Sequence, residues 1–130
     1  MRSEDEMKEN KLVDVSKKFA VDIVNICTKI KSEKKGNVLV SQLLRSGTSI
    51  GANIHEGNYA ASRADFINKF QTALKECYET EYWLGLFKET KMISDDEYDA
   101  LFASCSKLRK MLTASITTAK NNNLCSGVHG

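Results

Sequence analysis

The chain has 130 residues, 28% of them charged, a formal net charge of +2, seven glycines and no proline. That length accommodates one domain with its own core. The longest apolar runs fall far short of the roughly 20 residues a membrane-spanning helix needs, and the near-neutral charge neither demands nor excludes a nucleic-acid partner.

Residues 1–9 are charged and without periodicity, and a flexible N-terminus is expected there. Leu12, Val15, Phe19, Ile23, Ile26 and Ile30 then recur three and four residues apart, one stripe of an amphipathic helix. It ends at SEKKGN, where Lys34 and Lys35 complement the helix C-terminus and Gly36 can supply a left-handed cap. A second helix runs from about Val38 to Asn58 with the stripe Leu39, Leu43, Gly47, Ile50 and Ile54. The third begins at Ser62, whose S-x-x-D spacing to Asp65 is a capping box, and carries Phe66, Phe70, Ala73, Cys77, Leu84 and Phe87 to near Lys91. The fourth starts at Ser94 with Glu97 as capping partner and Ile93 and Tyr98 placed for a hydrophobic staple. Leu101, Cys105, Leu108, Leu112 and Ile116 carry it to about Lys120, and 121–130 reads as a disordered tail.

No segment alternates with period two, so no sheet is expected. Four long helices with short links predict an all-α, up-down-up-down antiparallel four-helix bundle over residues 10–120. Gly47 and Gly51, one turn apart beside Thr48 and Ala52, cost helix propensity of roughly 0.5–1 kcal/mol each. They are expected to let a neighbouring helix approach closely.

Catalytic chemistry finds little support. His55 is the one histidine of the folded part, Ser46, Thr48 and Ser49 have no evident His–acid partners, and the Glu-x-x-His pairs of di-iron bundles are missing. Cys27, Cys77 and Cys105 fall on apolar faces and read as small core hydrophobes, with Cys125 a free thiol in the tail. No two cysteines form CxxC. The expectation is therefore no catalytic residue, no metal and no cofactor, in a protein of the reducing cytoplasm without a signal peptide or a membrane span.

Three polar groupings stand out. Glu81 continues the third stripe and should point inward, bonded to Arg45 or Asn53 of helix two; with Glu56 and Arg63 these form a structural polar network that fixes helix register. Lys29, Lys31, Lys34, Lys35, Lys88 and Lys91 gather at one end of an up-down-up-down bundle. That end reads either as a solvated face complementing helix dipoles or as a phosphate-binding patch. In EYWLGLF, Tyr82, Trp83 and Leu86 spread the apolar surface of helix three wider than one core can cover, which predicts a subunit interface.

QLLRSGTSIGANIHEG, Gln42 to Gly57, resembles the signature Q-L-x-R-(S/A)-x-x-S-(I/V)-x-x-N-I-x-E-G. That signature marks the four-helix bundle family named for proteins encoded in intervening sequences of bacterial large-subunit ribosomal RNA genes. Gln42, Leu43, Arg45, Ser46, Ser49, Ile50, Asn53, Ile54, Glu56 and Gly57 match it, and Ser62, Asp65, Phe66, Glu79, Glu81 and Leu84 match the following block. The resemblance implies a bacterial four-helix bundle, often of unknown function. The related accessory variability protein of diversity-generating retroelements forms a homopentamer, binds nucleic acid and pairs with a reverse transcriptase. The expectation is thus a non-enzymatic homo-oligomer, a pentamer before a dimer, presenting basic surface to RNA or DNA. The alternative is a protein–protein interaction scaffold without nucleic-acid affinity. A continuous basic ring of Lys29–Lys35 and Lys88–Lys91 across the assembly favours the first, and lysines dispersed among acids favour the second.

Overall fold

The computed structural model describes residues 4–33 and 37–129, apart from the side chains of 5, 9, 37 and 123–129. Four helices follow one another: α1 (Glu4–Ser32), α2 (Asn37–Asn58), α3 (Arg63–Glu89) and α4 (Asp95–His129). No strand occurs among the described residues. Each helix packs on its two neighbours in the cycle α1, α2, α3, α4, and the diagonal pairs make no close backbone approach among the described residues. Direction follows from cross-helix pairs. Cys27 lies against Val40 while Ser16 lies against Gly51. Likewise Ser46 meets Thr80 while Glu56 meets Lys69. Residues late in one helix meet residues early in the next, so the bundle runs up-down-up-down.

α1 already begins at Glu4, and α4 continues to His129, past the end near Lys120 read from periodicity. No proline interrupts either extension, so nothing forces the backbone out of helix there.

The stripes form one core in which Phe19, Phe70, Phe87, Leu43, Ile50, Leu84, Leu108 and Leu112 are fully buried. The stripe of α3 is Phe70, Ala73, Cys77, Thr80, Leu84 and Phe87, an unbroken alternation of three- and four-residue steps. The caps form at both predicted starts. Ser62 Oγ accepts from the Asp65 N–H at 3.1 Å. Ser94 and Glu97 exchange reciprocal bonds, Ser94 N–H to Glu97 Oε1 at 2.8 Å and Glu97 N–H to Ser94 Oγ at 3.1 Å.

α3 ends in a Schellman turn. The Met92 N–H reaches the Phe87 carbonyl at 2.8 Å and the Lys91 N–H reaches that of Lys88 at 3.0 Å, with Lys91 at φ 60°. A lysine thus occupies the left-handed position where glycine is the unstrained residue.

Candidate functional site

The turn between α3 and α4 shares one end of the bundle with the C-terminus of α1, as the lysine grouping requires. The charges there are mixed rather than uniformly basic. Lys29 Nζ bonds Glu97 Oε2 at 2.7 Å, tying the end of α1 to the start of α4. The Lys29 ammonium and the Ser94 backbone N–H hold the Glu97 carboxyl below its usual range, and the bond to Glu97 raises Lys29. Asp95 and Asp96 share the first turn of α4 with Glu97, where they complement the positive helix terminus. Lys88 Nζ sits 4.6 Å from the centroid of the Tyr98 ring. Lys31 and Lys91 are exposed. Lys34 and Lys35 lie outside the described residues.

The polar residues between helices do not join into one network. Glu81 is largely buried, as expected, but its partners are on α4 and not on α2. Arg109 Nε donates to Oε1 at 3.1 Å and Ser106 Oγ to Oε2 at 2.9 Å. The cause is angular: the α3 stripe passes through Thr80, and Glu81 lies one step of about 100° round the helix from it, on the α4 side. Thr80 takes the α2 side instead, donating to the Ser46 hydroxyl at 3.0 Å in a fully buried bond. Arg45 reaches α3 at two other carboxylates, Glu76 at 3.3 Å and Glu79 in close contact. Asn53 bonds within its own helix, to the Ser49 carbonyl at 2.9 Å, Glu56 faces Lys69 at 3.5 Å, and Arg63 donates to the Ala119 carbonyl at 3.5 Å.

The small-residue face of α2 meets α1, and its two glycines differ. A Cβ on Gly47 would stand 2.9 Å from two carbons of Ile23, whereas one on Gly51 would find ordinary contacts at 3.6 Å with Ser16. Gly57, which the spacing placed only near the exit, is tighter still, with the Phe70 ring 2.7 Å from its virtual Cβ.

The model of the 23S rRNA-intervening sequence protein family matches residues 8–114. The chain belongs to that family. A crystal structure of a protein of unknown function from the S23 ribosomal protein family, from Bacteroides thetaiotaomicron VPI-5482, is 47% identical. It superposes with a TM-score of 0.83, over 85% of this chain and 98% of the other. None of the curated proteins matches.

In this 23S rRNA-intervening sequence family member, the outer face of α3 retains uncovered aromatic surface. Tyr82 is 63% exposed and stands edge-on to Trp83 at 5.2 Å, and Tyr78 one turn earlier is 57% exposed. Trp83 is half-buried against the core, its indole N–H bonded to Glu79 at 3.0 Å, and Leu86 is half-buried. The thiols are interior groups. Burial pushes Cys27 up to about 11, and contact with Cys77 together with burial raises Cys105. Neither favours the thiolate needed for nucleophilic or metal chemistry. The Cys125 side chain lies outside those described. No group of three His, Cys, Asp or Glu among the described residues is placed to hold a metal ion, and no described helix is long and apolar enough to cross a membrane.

Proposed function

We propose that this family member is a non-enzymatic interaction scaffold that self-assembles through the outer face of α3. The observation that carries this reading is the exposed Tyr78–Tyr82 surface beside half-buried Trp83 and Leu86, left over after the four-helix core is filled. Aromatic residues of this kind anchor interfaces, because they remove much apolar area from water at a low entropy cost. The fold-level resemblance to pentamer-forming accessory proteins favours five subunits. Salt bridging of Lys29 by Glu97, with Asp95 and Asp96 alongside, supports the scaffold over a dedicated RNA- or DNA-binding end.

Nucleic-acid binding is the second reading, favoured by exposed Lys31 and Lys91. It is also the reading under which a nucleic-acid enzyme such as a reverse transcriptase would be a partner. Light scattering at micromolar concentration tests the scaffold: a particle of several 14.5 kDa chains is expected, and a clean monomer overturns it. Trp83→Ala should weaken assembly more than it lowers the melting temperature. Polarisation titrations with structured RNA and duplex DNA across a salt series test the second reading. Affinity that falls steeply with salt and with Lys31→Ala and Lys91→Ala would replace the scaffold reading.

A further inference from the structure

At the opposite end from the lysine grouping, the start of α1, the α2–α3 link and residues 111–122 of α4 border a cleft of about 730 Å³, a volume within the range of small-molecule sites. Its charged lining among the described residues is of one sign. Lys8, Lys11 and Arg63 border it, and among the described residues no aspartate or glutamate does. The floor is apolar: Leu12, fully buried, lies with Phe66 and Met111, and Phe66 is backed by the Phe70 ring at 4.1 Å. Ser62, Ser115 and Thr118 add hydroxyls to the walls.

The cations are lightly engaged. Lys8 meets Glu4 at 3.7 Å in an exposed pair, a geometry that contributes little. The Arg63 bond to the Ala119 carbonyl, at 3.5 Å, is long and uses one of five guanidinium donors.

We propose that this cleft binds a nucleoside monophosphate, the flat base covering Leu12, Phe66 and Met111 and the phosphate taken by Arg63 with Lys11 and Lys8. The apolar floor calls for a ring. Three cations, of which only Lys8 meets a described carboxylate and that in an exposed pair, match a phosphate dianion better than a single carboxylate. A guanidinium presents paired donors that fit phosphate oxygens. The site lies on a different part of the molecule from the α3 face, so it stands or falls independently of the scaffold reading. The phosphate can belong to a free nucleotide or to the 5′ end of a strand.

The experiment is an NMR titration of the full chain with AMP, with adenosine, inorganic phosphate and a 5′-phosphorylated oligoadenylate as parallel arms. AMP is expected to shift the Leu12, Phe66 and Met111 signals saturably. Adenosine and inorganic phosphate should each bind at least about tenfold more weakly, since each keeps half of the recognition. Lys11→Gln, an exposed substitution, and Arg63→Gln should each weaken AMP by about fivefold or more, with melting temperatures checked against the parent. Tighter binding of the oligoadenylate assigns the site to a strand end, and tighter binding of AMP assigns it to a free nucleotide. Adenosine binding as tightly as AMP overturns the proposal. So does AMP affinity unchanged by Lys11→Gln and Arg63→Gln, or an absence of saturable shifts at the cleft.

Discussion

Arg109 of α4 donates to the Glu81 carboxylate of α3 across 3.1 Å, and Ser106 completes the pairing from one turn earlier. The Glu81 side chain retains only 11% of its exposure, so it depends on these partners. Arg109→Ala is expected to cost about 1–3 kcal/mol, the range for leaving a buried polar group short of a partner. In urea denaturation a double-mutant cycle should show coupling between Glu81 and Arg109 and none between Glu81 and Arg45. Coupling to Arg45 would return Glu81 to the α2 side.

The buried hydroxyl pair behaves differently from an ion pair, because both groups can be replaced together by apolar atoms of similar shape. Thr80→Val leaves Ser46 without its cross-helix donor and should lower stability by about 1–2 kcal/mol. Adding Ser46→Ala should recover most of that loss. A double variant as unstable as the sum of the two singles would mean the hydroxyls act independently.

Glycine replacement separates close approach from helix propensity. Gly51→Ala meets only ordinary contacts and gains helix propensity, so the denaturation midpoint should hold or rise, by up to about 1 kcal/mol in stability. Gly47→Ala runs into Ile23, and Gly57→Ala into the Phe70 ring. Each should lose about 1–3 kcal/mol through overpacking. Leucine at Gly51 adds three carbons beyond a Cβ already in contact with Ser16 and should be destabilising where alanine is not. Equal midpoints for Gly47→Ala and Gly51→Ala would contradict the asymmetry of the α1–α2 contact.

The Lys29–Glu97 bond sets a pH dependence at both extremes. The Glu97 carboxyl is lowered in the folded state, so its contribution is present above its ordinary value of 4.5 and fades as the pH falls through the lower folded value. Lys29 is raised, so its contribution is complete below its ordinary value of 10.5 and fades as the pH rises through the higher folded value. The stability gap between parent and Glu97→Gln should therefore be level through neutrality and narrow towards about pH 3. It should also shrink with added salt, because Lys29 is exposed. A gap unchanged by acid and salt would show that the ion pair adds nothing to the capping bond.

Lys91 holds a left-handed conformation at the end of α3 that disfavours any residue with a Cβ. Lys91→Gly is expected to raise stability by up to about 1 kcal/mol. The readout is the thermal midpoint, and a fall would mean that the lysine side chain makes a compensating contact in the turn.

Much of the architecture was legible in the residues because helix periodicity and capping are local properties. The stripes of Phe19, Ile23 and Ile30 in α1 and of Leu108 and Leu112 in α4 are core, and the Ser94–Glu97 box forms with both of its bonds. The signature from Gln42 to Gly57 and the family match agree in identity. The α3 stripe is legible too at Phe70, Ala73, Cys77, Leu84 and Phe87, and fails at a single step. Steps of three and four from Phe70 through Ala73 and Cys77 lead to Thr80, and taking Glu81 in its place assigned the carboxylate to the wrong neighbour.

Sequence by itself determined that this chain makes four amphipathic helices, where the last three start and most of the stripe each buries, because these follow from backbone geometry and the burial of apolar side chains. Tertiary structure alone decided which charges meet. Glu97 reads as a capping residue along the chain, and only the antiparallel placement of α1 beside α4 brings Lys29 to it and breaks up the expected basic end. The cleft bordered by Lys8, Lys11 and Arg63 likewise joins residues from all four helices that no spacing connects. A helical repeat fixes the direction of a side chain on its own axis, but its partner depends on the rotation and offset of the neighbouring helix, which core packing sets.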